Sequence, residues 1–169
     1  MTTKTEDPGN VDEMLEDMAA KLRGKMASRP DPIMIGIHTG GVVIASRLHD
    51  MLGIAEPLGS LDISFYRDDF SRIGMNPQVR PSQIPMSIDD RHIILVDDVL
   101  YTGRTIRAAL NEIFDYGRPA SVLLAVLVER SGRELPVAAD VVGKQLVLKS
   151  KEHIKLTEAD ILSLSIMET

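Results

Sequence analysis

The chain has no cysteine, which excludes disulfides, thiol nucleophiles and cysteine-ligated metal sites together. It also lacks any run of about 18 apolar residues, the length a membrane-crossing helix needs. Met1 to Asn10 is polar and acidic, without the apolar core of a secretory leader, so a cytoplasmic protein is the expectation. Positive charge is in short supply. The 19 Lys and Arg stand against 25 Asp and Glu, a net −6, with no long basic run. Proteins that live by gripping nucleic acid carry net basicity or a concentrated basic face. Here only the scattered set Arg130, Arg133, Lys144, Lys149, Lys151 and Lys155 is available to build a local one. No internal repeat, low-complexity stretch or domain linker is visible.

What is there suits one domain. The chain is 169 residues long, 44% hydrophobic and 26% charged, enough to bury a real core. Val11, Met14, Leu15, Met18, Ala19 and Leu22 recur at helical spacing after Asn10, an N-cap residue with Glu13 three positions on. Ile33 to Ile37 is a short apolar strand, followed by Gly40-Gly41 and a second helical pattern over Val42 to Leu52. Leu58 to Tyr66 reads as a strand. Arg67 to Asp90 is polar, has no clear period and is longer than an ordinary connector, as a functional lid or a disordered segment would be. Ser121 to Val128 is another strand, and Val141 to Met167 holds short β-like runs with charged breaks. Strands alternating with helices imply right-handed βαβ units and a parallel sheet. Ligands of such sheets bind beyond the carboxyl ends of the strands. Three loops gather there: Gly36 to Gly41, Asp97 to Thr105, and Val128 to Arg133.

The most informative run is Ile93-Ile94-Leu95-Val96-Asp97-Asp98-Val99-Leu100-Tyr101-Thr102-Gly103-Arg104-Thr105. Four apolar residues lead into two adjacent carboxylates, then a short turn, then the amphipathic stretch Ile106 to Phe114. Where strand turns into helix, backbone amides point outward at a terminus carrying about half a positive charge, which makes an anion site. Gly103 leaves room for a phosphate to approach, and the hydroxyls of Thr102 and Thr105 each donate a further hydrogen bond. Asp97 and Asp98 lie about one sugar's width away, placed to accept from vicinal hydroxyls or to hold Mg²⁺. A plain turn with Thr105 as N-cap would explain the loop. It would not explain two carboxylates side by side at the end of a buried strand, where repulsion and desolvation are costly unless cations or hydroxyls answer them.

This run resembles the phosphoribosyl-pyrophosphate signature of the type I phosphoribosyltransferases. Leu61-Asp62-Ile63-Ser64-Phe65-Tyr66-Arg67-Asp68-Asp69, Asp115-Tyr116-Gly117-Arg118-Pro119, Leu127-Val128-Glu129-Arg130 and Arg133-Glu134-Leu135-Pro136 extend the likeness. They are similar to the branch of pyrimidine-operon attenuation regulators that are also uracil phosphoribosyltransferases. The resemblance covers about residues 10 to 160 and leaves residues 1 to 9 as a flexible N-terminus. It implies an α/β fold with a central parallel twisted sheet flanked by helices and a small hood subdomain.

The resemblance also implies residue roles. Asp97 and Asp98 would hold the ribose hydroxyls, directly or through Mg²⁺, and Tyr101, Thr102, Gly103, Arg104 and Thr105 would form the ribose 5-phosphate site. Thr39, Gly40 and Gly41 correspond to the loop that holds pyrophosphate. Relatives would carry Thr-Arg-Gly there, so this chain lacks a charged donor worth about 1–3 kcal/mol. Backbone amides or His38 would take over part of its work, or His38 is simply a loop histidine. Arg67, Arg72 and Arg80 fall in the segment that resembles the family's closing loop. Arg80 matches a basic position that brings a cation over the leaving group. Val128, Glu129 and Arg130 follow the strand where the nucleobase is placed, and Arg133 faces either the phosphates or a core carboxylate.

The implied reaction is uracil plus phosphoribosyl pyrophosphate giving UMP and pyrophosphate with Mg²⁺, and it requires no nucleophilic side chain. The implied alternative is a UMP-sensing regulator that binds pyrimidine leader mRNA. Relatives that bind RNA are basic in the first helix and after "RELP", whereas this chain has Glu13, Glu16 and Asp17, and Val137-Ala138-Ala139. Acidic side chains on that face repel phosphate. Exposed apolar helices and the resemblance favour a homodimer or larger assembly.

Overall fold

In a computed structural model, which describes residues 7–64 and 82–169, the chain opens with helix α1 (Val11–Met26). The Asn10 side chain caps it by accepting from the Glu13 amide at 3.0 Å, as the N-cap spacing requires. Strand β1 (Ile33–Ile37) follows, then α2 (Gly40–Leu52), β2 (Gly59–Leu61), β3 (His92–Leu100), α3 (Arg104–Tyr116), β4 (Ser121–Arg130), β5 (Val141–Leu146), β6 (Glu152–Thr157) and β7 (Ser163–Glu168). Five strands make a parallel sheet in the order β2-β1-β3-β4-β5.

The apolar runs of β1, β3 and β4 are buried on both faces, as parallel strands covered by helices are. Period-2 alternation sorts them. Met34, Ile94, Val96, Leu123, Ala125 and Leu127 pack with α1 and α2. On the other face Ile35, Ile93, Leu95, Leu124 and Val126 pack with Ile106, Ala109 and Ile113 of α3. Chain past residue 160 forms β7, whose antiparallel pairing with β6 makes a separate two-stranded sheet.

Two elements differ from their sequence reading. The strand expected over Leu58 to Tyr66 is only Gly59–Leu61. Asp62 ends it by folding its carboxylate back to accept from the Ser64 amide at 2.9 Å, a turn that competes with the ladder. The strand expected to stop at the acid pair instead continues to Leu100, because Val99 and Leu100 pair with Val128 and Glu129 of β4. The acids therefore sit within the strand's last residues.

Beside β2, the stems of the 65–81 segment are fastened together. Ser60 and Gln83 form an antiparallel bridge, the Asp62 amide donates to Ser82 Oγ at 3.0 Å, and Ser82 Oγ donates to Glu112 Oε1 of α3. Arg67, Arg72 and Arg80, expected to serve the closing loop, lie outside the described residues.

Candidate active site

All five strands of the main sheet run in one direction, so the carboxyl ends of β1, β3 and β4 bring three segments to one edge. Alternation along β3 turns Asp97 and Asp98 to opposite faces. Asp97 is buried, 4% exposed, and its Oδ1 accepts from the Asp98 amide at 2.9 Å. Asp98 is half-buried on the α2 side, and its Oδ1 accepts from the Val99 amide at 2.9 Å. Splitting the pair across the sheet reduces the repulsion that adjacency in sequence suggests.

The Thr39-Gly40-Gly41 segment lies directly against this pair. The His38–Thr39 peptide bond is cis, and the His38 amide donates to Leu61 O at 2.9 Å. At Gly40 there is no room for a side chain, because a Cβ would fall on the carboxylate of Asp98. At Gly41 a Cβ would lie 2.6 Å from Val96 O and 3.0 Å from Asp97 Cα, so backbone packs on backbone. The two glycines let the amino end of α2 close onto the acids.

Beyond Leu100 the chain turns into α3. Gly103 is the N-cap, with φ at +96°, a conformation that glycine adopts freely. Thr105, the alternative cap, lies inside the first turn. Arg107 N to Gly103 O, at 3.0 Å, is the first helical bond, so the amides of Thr105 and Ile106 head the positive end of the helix. Thr102 Oγ1 accepts from the Arg104 amide at 3.2 Å. The Arg104 guanidinium reaches Glu134 Oε2 at 3.1 Å across an exposed ion pair. The Tyr101 ring lies under the Arg130 guanidinium, 4.0 Å from the centroid, and against Gly132.

The third segment is the end of β4. Val128 is buried in the core. Glu129 accepts from Arg133 Nη2 at 2.7 Å and from Gln145 Nε2 at 2.9 Å. A cavity of about 500 Å³ opens there, lined by Glu129, Ser131, Gly132, Arg133, Gln145 and Val147 among others, a size suited to a small ligand. Arg130 is 5% exposed. It donates to Glu152 O at 2.6 Å and Lys149 O at 3.1 Å, tying the β6–β7 hairpin to β4. Of the scattered basic set, Arg130 and Arg133 are thus spent inside the protein, and Lys144 Nζ donates to Asp7 O.

The sequence reading missed the role of the segment after Gly132. Thr102 O accepts from both the Glu134 and Leu135 amides at 3.0 Å, and Leu135 and Val137 lie beside Gly103. "RELP" is a strap over the Thr102–Gly103 turn. No periodicity signals it, since its bonds are backbone bonds across thirty-odd residues.

Among the described residues no group of three or more His, Asp or Glu could hold a metal alone. Two carboxylates near a positive helix end would suit a cation that arrives on phosphate oxygens and takes only one or two protein ligands.

A parallel sheet with an acid pair on its central strand, a glycine loop against it and a helix end beyond it is the arrangement expected of a phosphoribosyltransferase. The chain belongs to the phosphoribosyl transferase domain family, which matches residues 7–161, and within it groups with the proteins called Bifunctional protein PyrR. It is 63% identical over 161 residues to the one from Nitrosococcus oceani, covering 93% of this chain and 91% of that one. It is 57% identical over 149 residues to the one from Pseudomonas paraeruginosa, covering 87% and 88%. Among solved structures, purine phosphoribosyltransferase from Pyrococcus horikoshii superposes with a TM-score of 0.62 at 27% identity, over 89% of this chain and 93% of that one.

Proposed function

We propose that this protein transfers the phosphoribosyl group of phosphoribosyl pyrophosphate to uracil, giving UMP and pyrophosphate. The observation that carries the reading is the contact between Gly40-Gly41 and Asp97-Asp98, with the amino end of α3 one turn further on. It supports a linear arrangement of pyrophosphate, ribose and 5-phosphate subsites.

Thr39, Gly40 and Gly41 would present the amide end of α2 to pyrophosphate, with no arginine to help. Asp97 and Asp98 would accept from the ribose hydroxyls and hold Mg²⁺ through those hydroxyls or water. When bound, the ion neutralises charge on the departing pyrophosphate. Thr102, Gly103, Arg104 and Thr105 would hold the 5-phosphate at the positive helix end. As the bond from C1′ to pyrophosphate breaks, positive charge builds on the ring. Uracil N1 attacks the opposite face and loses its proton. The protein positions the partners and keeps the site dry. The cavity beside Glu129 supports a nucleobase at Val128, Glu129 and Arg130. Phe114 and Tyr116, exposed near the end of α3, supply apolar surface for the expected dimer.

The test is radiolabelled uracil with phosphoribosyl pyrophosphate and Mg²⁺. UMP formation that stops on chelation is expected, and no UMP at any Mg²⁺ concentration would refute the reading. The relatives' word "bifunctional" favours a second reading, a UMP-sensing regulator of pyrimidine leader mRNA. The acidic first turn of α1, Asp12 and Glu13, and the buried Arg130 argue for weak binding. Filter binding of leader RNA at two salt concentrations, with and without UMP, measures it; tight, UMP-dependent binding would favour the regulator.

A further inference from the structure

Arg133 lies where three parts of the site meet, and it touches each of them. Its Nη1 donates to the carbonyl of Tyr101, which opens the phosphate turn. Its Nε donates to Val137 O at 2.9 Å, closing the strap. Its Nη2 bonds Glu129 Oε1 at 2.7 Å, and Gln145 holds the other oxygen. The guanidinium is the one side chain with donors in a planar fork wide enough for three acceptors at once. Its side chain is 25% exposed, so these charge-assisted bonds are partly shielded from water.

We infer that Arg133 is a positioning residue for ribose 5-phosphate binding: through the Tyr101 carbonyl and the 133–137 strap it holds the phosphate turn in its anion-receiving shape. This rests on the phosphoribosyl reading above. The turn itself is poorly equipped to hold that shape. It contains a glycine at positive φ, the helix it starts has no side-chain cap, and its Thr102 carbonyl accepts from two strap amides. Without the guanidinium, Tyr101 O loses its charged donor and Glu129 its cation. The strap is then held to the turn by Thr102 O and by the exposed Arg104–Glu134 pair, which is worth little. The pyrophosphate loop packs on Asp97 and Asp98, on the α2 side of β3, whereas Arg133 bonds Tyr101 O, Val137 O and Glu129, so the effect is selective for one half of the substrate.

Calorimetric titration with ribose 5-phosphate and with inorganic pyrophosphate, on wild type and R133A, separates the halves. R133A is expected to bind ribose 5-phosphate about tenfold more weakly, the loss of one charged hydrogen bond, and pyrophosphate within about twofold. In turnover, KM for phosphoribosyl pyrophosphate rises by a similar factor while kcat moves less. Added methylguanidine restores part of the ribose 5-phosphate affinity. If R133A does not fold, R133K serves. It keeps the charge but not the fork, and is expected to show the same selective loss at about threefold or more. Unchanged ribose 5-phosphate affinity in either folded variant overturns the inference, as does equal weakening of both ligands. Wild-type protein that makes no UMP and binds neither ligand overturns the phosphoribosyl reading instead.

Discussion

The double variant D98N/T105A is expected to lose UMP formation by about a thousandfold or more while keeping its melting temperature within a few degrees. Removal of a single preorganised charge-stabilising group costs about 10²–10³ in rate, and this variant removes one from each of two subsites. Asp98→Asn keeps the shape and the acceptor for the Val99 amide at 2.9 Å but takes away the negative charge. On the proposed reading, that charge would stabilise an oxocarbenium-like ring and attract Mg²⁺. Thr105→Ala removes a hydroxyl from the first turn of α3, on a partly exposed residue that is not the N-cap. Neither change opens a cavity in the core, so the fold should hold. Activity at the wild-type level in a folded double variant would show that ribose and phosphate bind elsewhere.

The strand–acid–loop–helix run could be read from sequence because it is local. Apolar residues at β spacing, a glycine at the turn and an amphipathic helix all fall within two dozen residues, and each has its own short-range cause. The helices were legible for the same reason: Asn10 and Glu13 mark the start of α1, and the period of Val11 to Leu22 marks its buried face. What could not be read depends on pairing between distant segments. Strand β3 runs on to Leu100 only because β4 offers Val128 and Glu129 as partners. Whether Asp97 and Asp98 share a face depends on that extra length. The strap at Glu134 and Leu135 depends on two amides meeting one carbonyl of Thr102. Arg133 illustrates the limit best. Its choice between phosphate and carboxylate was open in the sequence. The fold gives it Glu129 and the Val137 carbonyl, each four residues away but outside any helix, and the Tyr101 carbonyl 32 residues back.

Installing an arginine at Gly40, the residue expected at that point of the family, should lower activity rather than raise it. From sequence the glycine reads as a lost donor to pyrophosphate, which arginine would restore. The structure reverses the sign. A Cβ on residue 40 would fall on the carboxylate of Asp98, with Asp98 Cβ only 3.0 Å away. The Asp98 side chain would have to rotate, giving up its bond to the Val99 amide, or the amino end of α2 would have to lift from β3. Lifting is resisted by Gly41, whose own backbone lies against Val96 and Asp97. Rotation is therefore the cheaper response, and it moves the carboxylate away from the ribose. G40A isolates this steric effect from the added charge. Both variants are expected to lose about tenfold to a hundredfold in kcat/KM, as misplaced catalytic groups do. G40R recovers part of that loss in pyrophosphate affinity, so its KM for phosphoribosyl pyrophosphate is lower than that of G40A. Steady-state kinetics on the two variants decide the matter. If G40R exceeds wild type, the arginine and Asp98 are compatible in this chain, and the glycine is a deficit instead of an accommodation to the acid beside it.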